Sequence, residues 1–187
     1  GQCNALVVPG VFPGVISAPG IAVIAVAEVV VHIAEAAVVP HADRLVGALI
    51  VPVIFNQPAY RQATEAFTQA AADMGGLDTV VNNAGISQRS PLLDYTAEEF
   101  AKVMDLNVVA VFNGHQAAAK IMTEAGHGGT ITTTSSMVAK YGQPSGVGYP
   151  TSKFAVNGMV QSLSRELAPV GIRVNAVAPG VTRTDMV

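Results

Sequence analysis

The chain has 187 residues, 50% of them hydrophobic and only 12% charged, with a formal net charge of −3. That is enough for one domain with a substantial core, and mild acidity without a basic cluster argues against a nucleic-acid binder. A single cysteine, Cys3, excludes an intrachain disulfide framework and fits a reducing cytoplasm.

Residues 5–8 form a short apolar run that ends in Pro9-Gly10, as a first buried strand would. Gly10 and Gly14 follow at a spacing of four, and then Val15-Ile16. Residues 15–39 are nearly apolar and long enough to suggest a membrane span. Glu28, His32 and Glu35 interrupt that run and Pro19-Gly20 breaks it, so a buried strand–helix–strand unit fits better. The first basic residue is Arg44, so no positively charged signal-peptide region stands here. Residues 27–33 are dominated by β-branched side chains and form a second expected strand. Residues 48–55 form a third, with Pro52 inside it. After Pro58 comes a helix whose Ala63, Phe67, Ala70, Ala71 and Met74 make an apolar stripe. Gly75-Gly76 stops it.

Residues 77–81 are the fourth expected strand. It delivers Asn82-Asn83-Ala84-Gly85 to the carboxyl edge of the sheet, where ligands of open parallel sheets bind. Thr96 and Glu99 have capping-box spacing at the start of a helix. Phe100, Val103 and Met104 lead from it into Asn107, an amide in mid-helix among apolar residues. Such a residue either satisfies neighbouring backbone or acts in a site, and the two are compatible. His115, on the same segment, is expected at the surface. Residues 126–129 end the helix, and residues 130–136 form the fifth strand with Ser135 and Ser136 at its end. Residues 137–148 read as a loop containing Gly142, Gly146 and Gly148. Tyr149 then precedes Pro150, which suits a helix's first turn. This helix is expected to run to about Ala168, with Phe154, Val156, Val160 and Leu163 buried and Arg165 and Glu166 solvated. Residues 171–177 form a sixth strand, followed by Pro179-Gly180-Val181-Thr182-Arg183-Thr184. The four His are dispersed, and no metal-ligand cluster is present.

Tyr149 and Lys153 stand at i and i+4, on one face of that helix. An ammonium beside a phenol favours the phenolate, which suits a proton donor to a carbonyl or a base towards an alcohol. The pair alone is also what an ordinary surface helix can carry. Two independent features add to it: Ser136 lies thirteen residues before Tyr149, and Asn82-Asn83-Ala84-Gly85 follows an apolar strand. Together they resemble the short-chain dehydrogenase/reductase family, whose members transfer hydride between a nicotinamide cofactor and a carbonyl or alcohol. The resemblance is dense over residues 77–186 and thinner before them.

The resemblance implies a catalytic set of Asn107, Ser136, Tyr149 and Lys153. It implies cofactor contacts at Gly10, Gly14, Ile16, Ala34, Asn83, Ala84, Gly85, Tyr149, Lys153, Pro179, Gly180, Thr182 and Thr184. Pro9 stands where the family's turn has threonine, and Ile16 where it has a last glycine. Ala34 stands where an acid usually binds the adenosine ribose, and Ile54 where an acid often contacts adenine. The lack of Arg or Lys near Ala34 and Glu35 favours NAD over NADP. Substrate contacts fall on Ser136, Met137, Gln143, Val147 and Tyr149, with Ser87 and Gln88 nearby. The run from Gly142 to Tyr149 is similar to bacterial hydroxysteroid dehydrogenases and 3-oxoacyl-carrier-protein reductases.

The alternating elements and this resemblance predict one α/β domain over residues 1–187, a doubly wound parallel sheet of the Rossmann type. Family members usually continue further, with a helical segment and a strand often used in oligomer contacts. The expectation is therefore a domain lacking its C-terminal part, from a cytoplasmic homo-oligomer (dimer or tetramer) with a small-molecule substrate and no metal, membrane or nucleic acid. The altered glycine turn supports an alternative, a non-catalytic Rossmann-like regulator or scaffold.

Overall fold

The computed structural model describes residues 59–181. Three parallel strands, β1 (Thr79–Asn82), β2 (Gly129–Thr134) and β3 (Ile172–Val177), lie side by side in that order. Val80 pairs with Ile131, which pairs with Val174. Parallel neighbours need long crossovers, and helices supply them. The helices are α1 (Ala59–Met74), α2 (Ala97–Met104), α3 (Ala110–Ala125), α4 (Val138–Tyr141) and α5 (Gly148–Glu166). This is the expected Rossmann-like arrangement.

Local chemistry sets the helix ends. Gly75 adopts φ 75°, and the N–H groups of Gly75 and Gly76 return to the carbonyls of Ala72 and Ala71 at 3.4 and 2.8 Å. That is a Schellman stop, which needs a residue free to go left-handed. Thr96 and Glu99 form the expected capping box: the threonine hydroxyl accepts from the Glu99 N–H at 3.1 Å, and the carboxylate accepts from the Thr96 N–H at 3.0 Å. Gly126, at φ 73°, closes α3.

Alternate strand residues Val80, Ile131, Ile172 and Val174 point into one core. Phe67 and Ala70 of α1, Ala118 and Met122 of α3, and Val156 and Val160 of α5 pack there. Each large apolar side chain so buried contributes roughly 1.5–3 kcal/mol, which outweighs any single polar contact in fixing the helices to the sheet.

Some expectations need correction. His115 is not at the surface: it is almost fully buried, because it shares the core-facing stripe of α3 with Val111, Ala118 and Met122. Phe154 is 50% exposed rather than buried, because Ser152, Lys153, Val156 and Val160 take the inward face of α5. Leu163 is only partly buried against the core. α5 ends at Glu166 and passes into a 3₁₀ turn at Ala168–Val170, while residues 137–148 contain the short helix α4. The three expected strands before Pro58 lie outside the described residues. So do the calls on Gly10, Gly14, Ile16, Ala34, Thr182 and Thr184. Among the described residues, no helix is long and apolar enough to cross a membrane.

Candidate active site

The carboxyl ends of β1 and β2 bring the motif residues together. β1 runs straight into Asn83, Ala84 and Gly85. The Asn83 Oδ1 accepts a 2.7 Å bond from the Thr134 hydroxyl, which ties the segment to the end of β2.

Asn107 lies in a π-helical turn, Asp105–Val109, inserted between α2 and α3. π turns inside helices occur frequently at functional sites. The Asn107 side chain is 0% exposed. Its Oδ1 accepts from the Ile86 N–H at 2.9 Å, and its Nδ2 donates to the Ile86 carbonyl at 2.9 Å and to Ser152 Oγ at 3.0 Å. The amide is thus both a structural clamp and part of the constellation.

The two serines after β2 differ in what they bind. Ser135 is 2% exposed, and its hydroxyl donates to Asn157 Oδ1 at 2.7 Å. Ser136 is partly open, and its Oγ accepts from the Val138 N–H at 3.3 Å. That bond occupies a lone pair of the oxygen and leaves the Ser136 proton available to donate.

Tyr149 and Lys153 stand one turn apart near the start of α5, with the lysine Nζ 5.6 Å from the tyrosine ring centre. Lys153 is 4% exposed, and its ammonium donates to the Thr134 carbonyl at 2.7 Å. Burial pushes its pKa down from 10.5 to about 8, because a desolvated cation is costly. No acidic side chain pairs with it among the described residues. The ammonium keeps donors beyond the Thr134 contact, and Gly85 packs close to it and to Asn107. A Cβ on Gly85 would lie 3.1 Å from Asn107 Oδ1 and 3.6 Å from Lys153 Nζ.

A family model described as short chain dehydrogenase matches residues 15–187. The chain belongs to that family. It is 63% identical over 126 residues to a 3alpha-hydroxysteroid dehydrogenase of Mediterraneibacter gnavus, covering 67% of this chain and 50% of that protein. It is 46% identical over 121 residues to an L-2,3-butanediol dehydrogenase of Corynebacterium glutamicum, covering 65% and 47%. A short-chain type dehydrogenase/reductase from Mycobacterium marinum superposes with a TM-score of 0.65 at 41% identity, covering 71% of this chain and 54% of that one. The chain therefore spans about half the length of the curated relatives it matches.

Of the expected site residues, Asn83, Gly85, Asn107, Ser136, Tyr149 and Lys153 gather at this edge. Met137 is tied to the turn after β3 by its N–H, which donates to the Pro179 carbonyl at 2.9 Å. A Cβ on Gly180 would touch the Met137 sulfur at 3.5 Å. Met137 and Val147 are exposed. Gln143, expected as a substrate contact, also has a role inside the fold. Its amide donates to the Ser145 and Gly146 carbonyls at 2.6 and 3.1 Å, so it braces the 142–148 segment. Sequence reasoning missed Thr134 and Ser152. Their only signal was position: Thr134 ends β2, and Ser152 lies one residue before the lysine on the face shared with Tyr149 and Val156.

Proposed function

We propose that the chain carries the hydride-transfer site of an NAD(P)-dependent oxidoreductase that interconverts a secondary alcohol and a ketone. The observation that carries this proposal is the buried ammonium of Lys153, without an acidic partner among the described residues, beside Tyr149 and close to Gly85. A purely structural lysine has little reason to accept that desolvation.

When bound, the nicotinamide supplies the hydride acceptor or donor. In the reduction direction, Ser136 donates a hydrogen bond to the substrate carbonyl and stabilises charge that develops on its oxygen. Tyr149 gives its phenolic proton to that oxygen. Lys153 holds the ribose hydroxyls and offsets the negative charge left on the phenolic oxygen. Asn107, locked in the π turn, supports the relay that returns a proton from water. In oxidation the same groups run in reverse.

A hydrophobic hydroxysteroid-like or 3-oxoacyl-like substrate is consistent with the exposed Met137, Val147 and Val181. The 63% identity to a 3alpha-hydroxysteroid dehydrogenase favours the former. The absence of Arg or Lys beside Ala34 and Glu35 supports NAD over NADP. We place the enzyme in the cytoplasm as a homo-oligomer.

Titration of the purified protein with NADH and NADPH, followed by fluorescence, tests the proposal. Saturable binding is expected, tighter for NADH. A folded protein that binds neither is instead a non-catalytic scaffold.

A further inference from the structure

Ser152 is fully buried, although hydroxyl side chains are seldom so enclosed. Its environment explains why it is kept. The Tyr149 carbonyl can only accept, so the Ser152 hydroxyl donates to it, at 2.6 Å. The serine oxygen then accepts from Asn107 Nδ2 at 3.0 Å. This order leaves a single orientation for the Asn107 amide, with Nδ2 towards Ser152 and the Ile86 carbonyl and Oδ1 towards the Ile86 N–H. Turning the amide over would set an N–H against the Ile86 N–H and leave the serine oxygen without a donor.

We infer that Ser152 is a positioning residue, which fixes the Asn107 π turn against the first turn of α5 and so sets Asn107 relative to Tyr149. It acts through Asn107 Nδ2 and the Tyr149 main chain. A donor and an acceptor on one small atom are required, which alanine lacks and cysteine supplies only weakly. The inference rests on the oxidoreductase function proposed above.

The test compares the parent with Ser152→Ala, Ser152→Cys, Asn107→Ala and Ser152→Ala/Asn107→Ala. It follows NAD⁺-dependent oxidation of a 3α-hydroxysteroid, NADH affinity by fluorescence, and Tm. The expected result for Ser152→Ala is at least a tenfold loss of kcat with NADH affinity within twofold of the parent. Ser152→Cys falls between the two. In the Asn107→Ala background, removing Ser152 costs less than a further twofold, because the group through which it acts is already gone. A kcat within twofold of the parent, or losses that multiply in the double variant, would overturn the role. Should Ser152→Ala fail to fold, Ser152→Cys decides: full kcat overturns the inference, and a several-fold loss at unchanged NADH affinity supports it. A parent that binds NADH but oxidises no alcohol would overturn the oxidoreductase function itself, and the role with it. A working parent indifferent to Ser152 overturns the role alone.

Discussion

The Lys153 ammonium lies 2.7 Å from the Thr134 carbonyl, so the last residue of β2 holds the cation of α5 beneath the site. Burial pushes that lysine down to about 8. Its charged form therefore destabilises the fold at pH 7, and the cost is relieved as pH rises. Between about 8 and 10.5 the unfolded chain keeps a proton that the folded chain has released, so stability climbs with pH there. Lys153→Met should be more stable than the parent at pH 7, by at most ~3 kcal/mol, a bound that loss of the Thr134 contact reduces. The gap should close towards pH 10, while NADH affinity falls at least tenfold. Thermal melts across that range check the sign.

Ser135 and Ser136 should respond oppositely. Ser135→Ala leaves Asn157 Oδ1 without its 2.7 Å donor and should cost about 1–3 kcal/mol with kcat nearly unchanged. Ser136→Ala should leave Tm close to the parent and lower kcat by about 10²–10³. Paired kcat and Tm measurements separate the two, and the reverse pattern would reassign the oxyanion contact to Ser135.

His115 adds an acid sensitivity. The Val111 carbonyl lies 2.8 Å and the Asn82 amide nitrogen 3.3 Å from its Nδ1, and the Thr133 hydroxyl lies 3.2 Å from Nε2. Desolvation by burial lowers its pKa below 6.5. As pH falls through 6.5, the unfolded chain gains a proton that the folded chain resists, so the fold loses stability. His115→Gln, which cannot titrate, should flatten the dependence of Tm on pH below 6.5. An unchanged slope would place the acid sensitivity elsewhere.

How much of this was legible in sequence depended on whether spacing or residue character carried the signal. Fixed spacings placed Tyr149, Lys153 and Ser136, and the mid-helix amide marked Asn107, because a helix turn and a strand end allow little choice. Capping chemistry placed Thr96 and Gly75 for the same reason. His115 was misjudged because its polarity masked the apolar stripe it completes with Val111, Ala118 and Met122. Phe154 was misjudged in the opposite way: hydrophobic character outweighed a register in which Ser152, Lys153 and Val156 face inward. When polar residues occupy a buried face, composition misleads and period is the safer guide. Ser152 and Thr134 were not visible because their roles arise from partners far away in sequence.

In the function proposed above, Tyr149 transfers the proton at a hydride-transfer centre. Tyr149→Phe removes one oxygen from a half-buried ring and should leave Tm and NADH affinity close to those of the parent. The decisive measurement is kcat of this variant for NAD⁺-dependent oxidation of a secondary alcohol. A loss of about 10²–10⁴ is predicted. A kcat within a few-fold of the parent would contradict it.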